Sequence, residues 1–191
     1  MKKSILIVLL VALLAVAVGV SGCLGGDDTP TNNSSNNSNN SNITTNATFD
    51  GSIVTVDPVP AGYELLAVKN VTADNENIDG IKDALAGFSG YYARNSSNIY
   101  LNVFQTENNS SAKAYVQAMI DANKEKYPQT SNVTTTKVNG HDATLITTTV
   151  TSGGSDAERY VLAWTNGSYL VVVNGPAAFD ELKTIADASK L

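Results

Sequence analysis

The sequence predicts an α+β domain: a single antiparallel sheet with two long helices and one short helix packed on one face, built from two β-β-α units plus additional strands. Three observations lead there. β-branched and alternating runs recur along the chain beyond residue 51, and the dipeptides Asn139-Gly140 and Asn166-Gly167 each separate two of them. Two amphipathic segments interrupt the runs. The pattern strand, turn, strand, helix occurs twice, at 91–122 and at 159–189, with Tyr100-Leu101-Asn102-Val103 in one copy against Tyr169-Leu170-Val171-Val172 in the other.

Taken in order, strands are expected at 52–56, 63–72, 90–94 and 99–105, then at 133–138, 143–151, 159–165 and 168–174. The Asn-Gly pairs are hairpin signals, because both central residues of the favoured two-residue turn need positive φ. Residues 95–98 are expected to make a looser turn. A helix from 111 to about 126 carries Tyr115, Val116, Met119 and Ile120 on one face, with Ser110 or Ser111 placed to cap it. The last helix opens at Gly175-Pro176, with Asp180 and Glu181 early and Lys190 late, as the helix dipole favours. Phe179, Leu182, Ile185 and Ala186 form its apolar stripe. A short helix is expected over 79–86, stopping at Gly87. With all helices on one face, the other face should be the more polar one, which suits the threonines of 134–136 and 147–151.

The N-terminal part is organised differently. Lys2 and Lys3 precede an almost unbroken apolar run from Ser4 to Val20, and Val20-Ser21-Gly22-Cys23 follows. An aliphatic residue, two small residues and a cysteine resemble the lipobox of prokaryotic lipoproteins. The resemblance implies cleavage after residue 22 and a lipid on Cys23, so that 1–22 is a signal peptide. Two acyl chains, at about 0.8 kcal/mol per buried methylene, would hold the chain firmly. The alternative is an uncleaved helix, since the apolar run approaches the roughly 20 residues needed to span a bilayer. Either anchor leaves Lys2 and Lys3 on the cytoplasmic side and the domain outside the cell membrane.

Residues 23–50 form a lipid-anchored stalk whose Asn/Ser/Thr tract supports no core. Treated as a flexible chain, its residues 27–50 span roughly 27 Å. Sequons crowd it, at Asn32, Asn33, Asn36, Asn39, Asn42 and Asn46, and continue in the domain at Asn70, Asn95, Asn108, Asn109, Asn132 and Asn166. An exposed loop outside the cytoplasm meets the demands of glycan addition, so all twelve are candidate glycosylation sites. Lipobox, Cys-Leu-Gly-Gly and sequon-rich stalk together resemble cell-surface lipoproteins of archaea. The order of elements in 51–191, with Trp164, Gly167-Ser168-Tyr169 and a final amphipathic helix, resembles PsbP-like extracytoplasmic domains and lipoprotein domains without assigned function.

Charge and composition narrow the function. The chain holds 12 Lys+Arg against 18 Asp+Glu, a formal −6; loss of Lys2 and Lys3 with the leader moves it to −8. Scattered cations in an acidic chain do not suit a phosphate backbone, so no nucleic acid partner is expected. Cys23 is the only cysteine and lies outside 51–191, which leaves the domain without disulfide or thiol nucleophile. The one histidine, His141, sits in the turn Asn139-Gly140-His141-Asp142 and reads as solvated. Asp74, Glu76 and Asp79 suggest calcium ligands, but Ile78 takes a ligand position and no glutamate closes the loop. Gly87-Phe88-Ser89-Gly90 lacks the nucleophile-elbow spacing, and Gly153-Gly154-Ser155-Asp156 lacks a phosphate-loop lysine.

No catalytic, metal or cofactor residues are therefore assigned. The expected function is that of a membrane-anchored extracytoplasmic lipoprotein acting as a non-catalytic binding, interaction or envelope-structural module. The alternatives are an envelope polymer or peptide hydrolase using carboxylates brought together by the fold, and an accessory factor of a membrane complex, as the PsbP-like resemblance implies.

Overall fold

A computed structural model describes residues 49–191, apart from 77, 82–84 and 153. After a 3-10 turn at Gly51–Val54 come β1 (Glu64–Thr72), β2 (Ala86–Arg94), β3 (Ser97–Gln105) and α1 (Asn109–Lys126). Then follow β4 (Ser131–Val138), β5 (His141–Ser152), β6 (Ser155–Asn166), β7 (Tyr169–Asn174) and α2 (Phe179–Ala188). The strands form one antiparallel sheet in the order β1-β2-β3-β7-β6-β5-β4. At its centre β3 pairs with β7, Leu101 opposite Val173 and Phe104 opposite Leu170.

This arrangement overturns the predicted α+β class. Among the described residues the molecule is a seven-stranded sheet with two helices and one 3-10 turn, nearly all-β, and not two β-β-α units with helices on one face. α2 packs with Leu101, Val103, Leu162, Trp164, Val171 and Val173. α1 packs with Phe104, Ile146, Ala163, Leu170 and Val172. Strand residues alternate between the two groups, so the helices cover opposite faces. The reason lies in the central strands. All of Leu170, Val171, Val172 and Val173 are fully buried, as are Leu101, Val103 and Phe104. Two helices on one face would leave half of these in water, and a strand apolar on both sides needs cover on both. The expectation of a more polar second face fails for the same reason.

Gly175 makes the change of face possible. Its φ is +137°, and a Cβ there would lie 2.2 Å from the Asn98 carbonyl oxygen. The chain turns tightly against β3 and enters α2 at Phe179, later than the Gly175-Pro176 start expected. Glu181 Oε2 accepts from the Ala178 N–H (3.1 Å) and from Ser97 Oγ (2.8 Å), fixing the helix to the β2–β3 turn.

Local corrections follow the same physics. Residues 52–56 are not a strand: Asp50 accepts from the Ser52 N–H (2.8 Å) and caps the 3-10 turn. Val54 and Val56 from this segment are buried on the α2 face. The short helix expected over 79–86 is absent among the described residues; 82–84 lie outside them, and Ala86 already begins β2. Asn108, not Ser110 or Ser111, caps α1, accepting from the Ser111 N–H (3.0 Å). Asn139 and Gly140 both take positive φ between Val138 and His141, as the hairpin signal requires. The other Asn-Gly pair is shifted by one: Asn166 pairs with Tyr169, and the turn is Gly167-Ser168. The 95–98 turn is tighter than expected, because Arg94 pairs with Ser97 across Asn95-Ser96.

Candidate functional site

The α1 face carries a cleft of about 600 Å³ between the C-terminal end of α1 and the sheet. α1 and its cap supply Asn123, Lys126 and Tyr127; β5 supplies Thr148 and Val150; β6 supplies Arg159 and Val161; Asn174, Gly175 and Pro176 close the end of β7. Asp79 comes from the loop between β1 and β2. That loop is held against α1 at Gly80, whose φ is +87° and where a Cβ would lie 2.3 Å from the Ala118 carbonyl oxygen. A smaller hollow of about 70 Å³ shares Asp79, Asn123, Val161 and Asn174 and continues inward between Ile78, Met119, Ile146 and Val172. The cleft thus has a polar mouth and an apolar throat.

Each polar wall has a structural cause. Asn123 occupies a buried position on the apolar stripe of α1, four residues after Met119. Its amide donates to Thr148 Oγ1 (3.1 Å) and its oxygen accepts from Ser131 Oγ (2.5 Å), tying α1 to β5 and β4. These groups bond chiefly to one another. Asn102 donates to the Val172 carbonyl (3.4 Å) and to Asn174 Oδ1 (3.3 Å). With its oxygen turned to Asn102, Asn174 is left with an amide NH₂ that makes no hydrogen bond among the described residues.

The charges are distributed unevenly. Lys126 Nζ lies 3.1 Å from Asp79 Oδ1 and 5.4 Å from the Tyr127 ring centre. Asp79 holds the Lys126 ammonium above its ordinary pKa, chiefly by hydrogen bonding, but both groups are about half exposed. Arg159 stands opposite Thr148 across the β5–β6 ladder, so its side chain leaves the sheet on the cleft side. It forms neither ion pair nor hydrogen bond among the described residues. The mouth therefore holds one compensated cation and one uncompensated one.

The sequence-derived candidates lie elsewhere or apart. Glu76 accepts from the Tyr91 hydroxyl (3.0 Å), Asp79 pairs with Lys126, and Asp74 is exposed; no group of three metal-ligating side chains assembles among the described residues. His141 begins β5, half exposed, and its neighbour Asp142 pairs with Lys137 (2.7 Å). Ser89 is fully buried in β2, and Trp164 is core. Of the sequons, Asn70, Asn95, Asn108, Asn109 and Asn132 are exposed and Asn166 is half exposed. Asn108 caps α1 through its side-chain oxygen, while Asn109 donates to the Gly167 carbonyl (2.8 Å). Cys23, Asn32, Asn33, Asn36, Asn39, Asn42 and Asn46 lie outside the described residues, as do the expected leader and stalk. No described helix is long and apolar enough to cross a membrane.

Sequence reasoning missed Arg159, Asn174, Asn123 and Thr148. One signal was available: an amide at position 123, in register with the apolar positions of a helix, marks a polar contact under that helix.

Comparison with known families matches residues 53–188 to a domain of unknown function, DUF4367. The chain belongs to the DUF4367 family. That match covers the whole sheet and both helices. No curated protein matches the chain. A solved structure described as a GTP binding regulator from Thermotoga maritima is similar over 73% of this chain and 83% of its own, at 17% identity and a TM-score of 0.39.

Proposed function

We propose that this DUF4367 chain is a non-catalytic binding module, held outside the cell by a lipid on Cys23 and the stalk of residues 23–50, and that its ligand occupies the α1-face cleft. The cleft itself carries the reading: a recess of about 600 Å³ with a polar mouth and an apolar throat is the usual form of a small-ligand site. Its chemistry supports binding over hydrolysis. A two-carboxylate mechanism needs an acid and a base on either side of the scissile bond. Among the described residues the cleft offers one carboxylate, Asp79, and that one is paired with Lys126. The anchor rests on Val20-Ser21-Gly22-Cys23 after an apolar run.

A photo-activated cross-linking residue in place of Tyr127, at the cleft, or of Glu64, exposed on the far edge strand, tests the site in intact cells. Cross-linking from 127 and not from 64 is expected; equal yields from both positions, or none from 127, sink the proposal. In the same cells Cys23→Ser should abolish lipid attachment and leave a heavier, uncleaved chain. Unchanged mass and detergent partitioning would mean that the anchor is a helix.

A further inference from the structure

The donors and acceptors around the cleft are out of balance, and the imbalance says what fits. At the mouth the Arg159 guanidinium and the Asn174 NH₂ have no acceptor among the described residues, while the Asn123 and Thr148 side chains bond to each other. The one carboxylate there, Asp79, already accepts from Lys126 at 3.1 and 3.2 Å. A ligand must therefore bring acceptors, and negative charge best of all, because a guanidinium fork matches the two oxygens of a carboxylate. Behind the mouth, Ile78, Met119, Ile146, Val161 and Val172 offer only hydrocarbon and sulfur, in a hollow of about 70 Å³. That space suits one short branched apolar group and not a long chain.

Resting on the binding-module reading, we infer that the cleft takes the C-terminal end of a peptide whose last residue is aliphatic. Arg159 and Asn174 receive the carboxylate, and the terminal side chain enters the throat beneath Met119. A peptide end is favoured over a free amino acid because an α-ammonium would need an acidic partner, and Asp79 is taken. The outer cleft has room for the residues that precede the terminus. Arg159 is one of two arginines in the chain, and the other, Arg94, lies on β2 against Tyr63.

The test uses the full chain in lipid nanodiscs, with empty nanodiscs as the blank, and ligand-observed NMR. The probes are N-acetyl-leucine, N-acetyl-leucinamide, N-acetylglycine and free leucine. N-acetyl-leucine should bind, and each of the other three should bind about tenfold more weakly, for want of a charge-assisted bond, of apolar burial, or of a partner for the ammonium. Arg159→Gln, at an exposed position, should bring the acid down to the affinity of the amide and leave the amide unchanged. Equal binding of acid and amide overturns the carboxylate assignment, and equal binding of N-acetylglycine overturns the throat. Free leucine matching N-acetyl-leucine replaces the peptide end with an amino acid and overturns the inference as stated. Silence from every probe overturns it outright, and cross-linking from position 127 then still decides whether the cleft binds anything.

Discussion

Tyr92 shows how much a single side chain can hold. Its ring is buried under the N-terminal segment, its hydroxyl donates to the Val54 carbonyl (2.6 Å), and it accepts from the Val56 N–H (2.8 Å). Both backbone groups belong to residues that are at most 2% exposed, so neither has water as a substitute. Tyr92→Phe should therefore cost about 1–3 kcal/mol, measured by denaturant unfolding, by stranding a buried donor and acceptor. The same residue sets an alkaline limit. Burial raises its pKa above the ordinary 10.0, against a smaller downward pull from the Val56 N–H. The folded state then binds its proton more tightly than the unfolded state, so the contribution is whole below pH 10 and is lost as pH rises from there through the folded value. Tyr92→Phe should flatten this loss without removing it, because Tyr91 and Tyr160 are also shifted upward. An unchanged alkaline limb would show that Tyr92 does not titrate in that window.

At the scale of elements, strands were legible and faces were not. The β-branched runs marked β1 to β7 within a few residues, and Asn139-Gly140 marked its turn, because pleat and turn geometry act locally. Residues 52–56 have the same alternation as a strand, yet Asp50 bends them into a 3-10 turn that no period-2 pattern reveals. An amphipathic helix announces that it has an apolar stripe and says nothing about which side of the sheet receives it. The matched segments beginning at Tyr100 and Tyr169 make the point: Leu101 faces α2 while Leu170 faces α1, so similar sequence serves opposite faces. The cleft was hidden for a related reason, since Arg159 and Asn174 are fifteen residues apart in sequence and line one cleft only because β6 and β7 pair in the sheet. The two helices give a matched test. Leu182 is fully buried in one cluster and Met119 is 3% exposed in the other. Alanine at either should cost about 2–5 kcal/mol in thermal or denaturant unfolding. Met119→Ala should also enlarge the throat, whereas a cost near zero at Leu182 would mean that α2 is not part of the cooperative core.

For the molecule as a whole, two apolar layers flank one sheet, and this explains how a domain without cysteine holds together. Every residue of 49–191 is cysteine-free, so no bridge stiffens the unfolded chain. Thermal unfolding should be a single transition with the same midpoint in oxidising and reducing buffer. A reductant-dependent midpoint would have to come from Cys23, and two resolved transitions would mean that the α1 and α2 layers melt separately.

Strand order also dictates when the molecule can exist. β7 lies between β3 and β6, so the strand that joins the two halves of the sheet is nearly the last to be synthesised. Before it arrives, β1-β2-β3 and β6-β5-β4 share no hydrogen-bonded edge, and the buried residues of β3 lack their neighbours. Pairings this remote in sequence form slowly, because a long loop must close before any contact rewards it. On the proposed route to the cell surface this delay is useful. A chain that has to pass through a narrow channel as a thread must not collapse into a finished domain while its tail is still on the ribosome. Here the topology withholds the keystone until the end, and that delay is what the proposed export of the chain requires.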